Sequence, residues 1–154
     1  MRFSIRQAVR EDAESVEALE TEFSSDLRSI GIAAESSFNA ESYLRDGFGP
    51  KAAFAGLVAD TGTELVGYLL YHLGYESEDA ARTLVVMDLY VRRGSRRHGV
   101  GRALMEEAVK VCRQLGGSQV CWSVYESNAL AFKFYEGLGA SYIKDEIFMN
   151  LDIR

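Results

Sequence analysis

The chain has 154 residues, 47% of them hydrophobic, with one proline and 14 glycines. That composition excludes a disordered or collagen-like polymer and fits a single globular domain over 1–154. A formal net charge of −6 and a pI near 5.0 argue against the broad basic face of a general nucleic-acid binder.

Residues 3–9 alternate and are expected to form a strand, with Phe3, Ile5 and Gln7 on one side. Arg10-Glu11-Asp12 opens a helix capped by Asp12, whose buried stripe is Val16, Leu19 and Phe23. Residues 24–38 are small and polar and read as the helix end and a mobile loop. Asn39 caps a short second helix, with Glu41 and Ser42 in its first turn, and Gly47, Gly49 and Pro50 end it. Residues 54–59 and 64–73 read as strands, joined by the hairpin signal Asp60-Thr61-Gly62-Thr63. An acidic loop with Glu76, Glu78 and Asp79 leads into the central strand, residues 83–91, apolar and β-branched apart from Asp88. A long helix follows, with Leu104, Ala108, Val111 and Leu115 on one face, stopped by Gly116-Gly117. Residues 119–124 form another strand. Ser127 or Asn128 caps a short helix to about Tyr135, ended by Gly137 and Gly139, and residues 142–152 hold one or two closing strands. The long helix between two strands implies a crossover and a parallel pair, hence an α/β or α+β sheet with helices on its faces.

The turn between the central strand and the long helix concentrates the cations. Arg96-Arg97-His98-Gly99-Val100-Gly101-Arg102 brings arginines, two glycines and a helix N-terminus together. Gly99 and Gly101 permit φ > 0 and let an anion approach the main chain. The helix end adds about half a positive charge. A solvated Arg-rich turn has the same spacing; the strand before it and the helix after it favour a site for a diphosphate. The phosphate-loop and three-glycine dinucleotide patterns are both absent. Cys112 and Cys121 have no metal-ligand spacing and read as reduced thiols. Met1 stands too close to the first strand for a signal peptide, and no apolar run reaches membrane-spanning length. The expectation is a cytoplasmic protein with no membrane, nucleic-acid or metal partner.

Two marks occur in order. The first is Arg96-Arg97-His98-Gly99-Val100-Gly101; the second is Asn128, Ala131, Phe134-Tyr135 and Gly139. Together they resemble the GNAT superfamily of acetyl-CoA-dependent N-acetyltransferases, most of all the spermidine/spermine and thialysine enzymes. The resemblance implies a mixed, mostly antiparallel sheet of about six to seven strands, with helices on both faces and a splayed parallel pair. It implies acetyl-CoA as cosubstrate, held by Leu89, Tyr90 and Val91 along its pantetheine arm and by Arg96, Arg97, His98, Gly99, Val100, Gly101 and Arg102 at its pyrophosphate. Asn128 and Ala131 line the same molecule. It further implies a small cationic amine as substrate, a polyamine, diamine or lysine-like compound, and a homodimer. Polyamine enzymes carry Glu-Asp on the central strand, whereas this chain has Met87-Asp88.

The implied reaction joins an amine to a thioester carbonyl. Deprotonating an alkylammonium of pKa near 10.4 at pH 7 costs about 4–5 kcal/mol, which a base helps to overcome. Asp88 is the catalytic candidate, with a structural carboxylate held by hydrogen bonds as the other reading. Glu126 and Glu22 are the other candidates for that base and are assigned to acceptor binding; a solvated acid is the other reading of Glu126. Tyr135 matches the tyrosine that protonates the departing thiolate; its spacing beside Phe132, Phe134 and Leu138 also suits a core aromatic. His98 belongs to the anion turn and His72 reads as an edge-strand surface residue, so neither is expected in catalysis. Acetylation of a peptide or protein amine, and a CoA-binding sensor without chemistry, are the alternatives.

Overall fold

A computed structural model describes residues 1–144 and 148–153. The chain divides into two compact units, Met1–Ser123 and Val124–Arg154. The first unit contains β1 (Ser4–Gln7), α1 (Ala13–Ser29), α2 (Ala40–Asp46), β2 (Ala55–Asp60), β3 (Leu65–Glu76), β4 (Ala81–Val91), α3 (Val100–Gln114) and β5 (Gly117–Trp122). Its sheet runs β1-β2-β3-β4-β5, antiparallel except for the parallel β4–β5 pair. The five strands among the described residues are fewer than the six to seven expected. Of the stretch expected to hold closing strands, residues 142–144 and 148–152 form none, and 145–147 lie outside the described residues. Leu151 and Ile153 alternate with polar neighbours as a strand would, but stand exposed; the pattern alone makes no strand without a ladder partner. No helix among the described residues is long and apolar enough to cross a membrane.

Helices cover both faces, as the sequence implies. Ala13, Val16 and Leu19 of α1 and Tyr43 of α2 close one core with Phe54, Val58, Leu65, Tyr68, Leu70 and Tyr90. On the other face α3 buries Val100, Leu104, Met105, Ala108 and Val111. A Cβ on Gly67 would lie 3.4 Å from Val100 Cγ1, which fixes that face of β3 as the one under α3. Gly67 and Leu69 of β3 therefore look to α3, while Tyr68 and Leu70 look to α1; Leu65 joins the α1 core across the register slip at Ala59/Asp60.

The helix end read from residue 24 onward runs to Ser29 in α1, where Ser24 is buried and its Oγ donates to Glu20 Oε1 at 3.0 Å. Two sequence expectations shift. Asp12 occupies the position before α1 but makes no side-chain cap there. Its Oδ2 instead accepts from the Val9 N–H at 2.8 Å, and its carboxylate takes a two-pronged contact from Arg6 at 2.8 Å per oxygen. His72 is exposed as expected but sits on β3, an interior strand. Asn39 does cap α2, accepting from the Ser42 N–H at 2.9 Å.

The register of β4 on β3 slips once. Leu70 faces Asp88 and Tyr71 faces Val86, leaving Met87 as an extra residue. Such a bulge flips the phase of the strand. By plain alternation Val86, Asp88 and Tyr90 would share a face. The bulge sends Val86 to the α3 side with Tyr71, keeps Asp88 and Tyr90 on the α1 side, and leaves Met87 47% exposed.

Candidate active site

The bulge coincides with the end of the parallel ladder. β5 pairs with β4 from Arg82 to Val86, where Val86 meets Trp122, and no further. Beyond it β4 has no strand partner on that edge among the described residues. The Arg92 N–H donates to Val66 O at 2.9 Å, which fixes the phase of the β3–β4 ladder. In an antiparallel pair the main-chain groups alternate in direction, so those of Asp88 and Tyr90 point to β3 and those of Leu89 and Val91 point to the vacated edge. The predicted pantetheine contacts at Leu89 and Val91 thus have a physical basis: an extended, amide-bearing chain can pair there as a strand would.

That edge leads directly into the basic turn. Arg97 (φ 64°) and Gly99 (φ 84°) are both left-handed, a conformation that costs a non-glycine residue about 1 kcal/mol. They reverse the chain between β4 and α3. Gly99 is the N-cap of α3 and offers no side-chain cap, so the first N–H groups of the helix, which have no intrahelical acceptor, are left to an outside one. Arg97, His98 and Arg102 are exposed, and the His98 ring nitrogen lies 2.9 Å from Arg96 O. An uncapped helix end, a glycine cap and exposed cations fit the diphosphate that the sequence implies.

Several of the turn's cations are already engaged by α1. Arg96 donates to Val91 O at 2.8 Å and to Asp26 Oδ2 at 2.5 Å, and stacks 5.4 Å over the Tyr90 ring. Arg93 Nε meets Asp26 Oδ1 at 2.7 Å. Arg92 pairs with Glu22 at 3.1 Å and with Glu64. The Tyr90 hydroxyl lies 3.3 Å from Glu22 and 3.4 Å from Asp26; burial first, then these two acids, push it up to about 12. Glu22, predicted as an acceptor contact, therefore stands in an ion pair that anchors the end of β4.

Asp88 sits behind the vacated edge, on the α1 side. Burial pushes its carboxyl up to about 6, and the negative charge of Glu20 adds to the effect. Glu20 and Tyr68 are the groups beside Asp88 that the sequence alone does not single out. Glu20 is buried, and its Oε2 accepts from the Tyr68 hydroxyl at 2.5 Å. The phenol of Tyr68 is held well above its ordinary value by burial, then by Asp88 and Glu20. A signal for Glu20 was present: it falls four residues after Val16 and beside Leu19, inside the apolar stripe of α1.

The second unit carries α4 (Ala129–Glu136), capped by Asn128, whose Oδ1 accepts from the Ala131 N–H at 3.1 Å. Tyr135 follows Phe134, ring to ring at 5.1 Å, and its carbonyl accepts from Leu138 and Ala140. Gly139 is left-handed at φ 85°. Glu126 is exposed.

The fold is shared with solved structures. One is an integron cassette protein from the mobile metagenome of V. cholerae, at a TM-score of 0.81 and 20% identity, covering 99% of this chain and 93% of that one. Residues 16–140 match the model of the acetyltransferase (GNAT) family. The chain belongs to the GNAT family. Among curated relatives, it is 32% identical over 81 residues to an L-ornithine N5-acetyltransferase of Arabidopsis thaliana, which covers 53% of this chain and 36% of that protein. It is 32% identical over 108 residues to a thialysine N-epsilon-acetyltransferase of Bos taurus, covering 65% and 63%. The matched regions thus span about a third and just under two thirds of these relatives.

Proposed function

We propose that this chain transfers an acetyl group from acetyl-CoA to the primary amine of a small cationic acceptor, by direct attack in a ternary complex. The observation that carries this reading is the vacated edge of β4 at Leu89–Val91, running into the uncapped N-terminus of α3 with the half-buried carboxyl of Asp88 behind it. The acceptor is the terminal amine of a short diamine or ornithine-like amino acid, a class supported by the names of the two curated relatives.

Acetyl-CoA supplies an acetyl group already activated as a thioester. The main chain of Leu89 and Val91 aligns its arm, with Tyr90 between them paired to β3, and an N–H on that edge polarises the carbonyl. Arg96, Arg97, His98, Gly99, Val100, Gly101 and Arg102 hold the diphosphate, and the family pattern assigns Asn128 and Ala131 to the same molecule. Asp88 receives the proton of the acceptor ammonium, directly or through water. As the C–N bond forms and the C–S bond breaks, the hydroxyl of Tyr135 gives its proton to the thiolate, a match of pKa near 10 to one near 8.5. The exposed Glu126 contributes negative charge to which a cationic acceptor is drawn, whereas the charge of Glu22, the other acceptor contact the sequence suggests, is taken up by Arg92. A homodimer follows from the resemblance to the polyamine enzymes, and the free thiols Cys112 and Cys121 suit the cytoplasm.

The test is thiol release from acetyl-CoA across a panel of ornithine, thialysine, lysine, diamines, polyamines and short peptides. Turnover is expected with the small diamines and diamino acids; turnover confined to peptide amines would refute the acceptor class. In Tyr135→Phe, kcat is expected to fall by about tenfold to a hundredfold while acetyl-CoA affinity, measured by calorimetry, is retained. Wild-type turnover in that variant would remove the tyrosine from the reaction.

A further inference from the structure

The least expected group in the α1 face of the sheet is Glu20. It lies in the apolar stripe between Val16 and Leu27 and is only 8% exposed. A buried carboxylate is expensive unless satisfied. Here Ser24 Oγ donates to Oε1 at 3.0 Å and the fully buried Tyr68 hydroxyl donates to Oε2 at 2.5 Å. Those donors fix the carboxylate without cancelling its charge, and no Lys or Arg pairs with it among the described residues. A leucine there would pack more simply.

Tyr68 and Leu70 share the α1 face of β3, and the register sets Asp88 opposite Leu70 and Tyr90 opposite Tyr68. We propose that Glu20 is the positioning residue that makes Asp88 a usable proton acceptor, by holding a second negative charge behind it through Tyr68. This rests on the reading of Asp88 as the base. An ordinary aspartate, with a pKa near 3.9, is too weak a base for an ammonium at neutral pH. A fixed like charge strengthens it, in addition to burial.

The other groups near Asp88 do not supply this effect. From β3 comes the Tyr68 phenol, and from β4 the Tyr90 phenol, both held in their neutral forms. On α1, Glu22 and Asp26 are engaged with Arg92, Arg93 and Arg96, and those arginines are engaged in turn. Glu20 is the charged side chain that raises the carboxyl of Asp88.

The experiment compares kcat/KM from pH 4.5 to 8.5 for wild type, Glu20→Gln, Ser24→Ala and Asp88→Asn, together with the 13C-carboxyl titration of Asp88 by NMR, which needs no turnover. Glutamine keeps an acceptor for Tyr68 and removes the charge. In Glu20→Gln the acid limb of the profile and the Asp88 titration are expected to move down together, by about one pH unit. Ser24→Ala, which keeps the charge, is expected to leave both near their wild-type positions. If Glu20→Gln fails to fold, Glu20→Leu, suited to the apolar stripe, gives the same reading. An unmoved limb and an unmoved Asp88 titration would overturn the role of Glu20 while leaving Asp88 as the base. A limb that persists in Asp88→Asn would overturn the base assignment and this inference with it.

Discussion

Replacing Asp88 by Asn is expected to lower kcat/KM for the amine by about three orders of magnitude at pH 7.5, within the range for loss of a general base. The same change is expected to raise the stability of the fold at that pH. Both effects follow from one observation, the carboxyl pushed up to about 6 by burial and then by Glu20. The sign is fixed by linkage. The folded state binds the Asp88 proton more tightly than the unfolded chain does, so the carboxyl is tolerated while protonated. It becomes a liability as pH rises from the ordinary Asp range through 6. The ionised form costs on the order of 3 kcal/mol, which asparagine, neutral at every pH, avoids. Thermal melts of the variant and wild type should therefore coincide at pH 4 and below, diverge between pH 4 and 6, and stay apart above it, the variant melting higher. In wild type, kcat/KM should rise with pH to a plateau past about 6. A variant both less stable and less active at pH 7.5 would mark Asp88 as structural, the other reading of its sequence position.

The path from strand through basic turn to helix was legible because it depends on local chemistry. Apolar β-branched residues make β4, Gly99 supplies the left-handed cap, and Leu104, Ala108 and Val111 repeat at the helical period. The bulge at Met87 was not legible. An extra residue appears only when two strands are laid in register, and nothing in residues 85–91 shows where β3 slips. That slip puts Asp88 on the α1 face and Val86 on the α3 face. The partners of the arginines were hidden for a related reason: Arg92 and Glu22, like Arg96 and Asp26, lie 70 residues apart. A sequence shows a run of cations at the turn; only the packing of α1 shows that two acids one helical turn apart hold part of it. Glu20 differs in kind, since its place in the apolar stripe was readable. A polar residue in such a stripe is easily assigned to the helix's outer face.

The largest loss of stability is expected from Asp12→Asn, about 2 kcal/mol at pH 7 by urea denaturation. Asp12 and Asp88 lie in the same layer and respond to burial in the same direction, yet end on opposite sides of the ordinary value. For Asp12 burial pushes up, but the Arg6 hydrogen bonds, the Val9 N–H and the Arg6 charge together prevail and hold the carboxyl below its usual range. The pair joins β1 to the start of α1, and Arg6 extends it to β2 through Asp60 at 2.9 Å. Asparagine retains an acceptor for Val9 but leaves Arg6 half-paired. Breaking a fully buried pair costs about 3–5 kcal/mol; the partial exposure of Arg6 reduces that figure. The sign with pH is opposite to that of Asp88. A depressed folded pKa gives stability that is present above the unfolded value near 3.9 and fades as pH falls through the folded value. The gap between wild type and Asp12→Asn should accordingly be full at pH 7 and shrink below pH 4, whereas the gap for Asp88→Asn opens only above that range and carries the other sign. A cost for Asp12→Asn that is unchanged between pH 7 and pH 2 would mean that the carboxylate's shape, rather than its charge, ties β1 to α1.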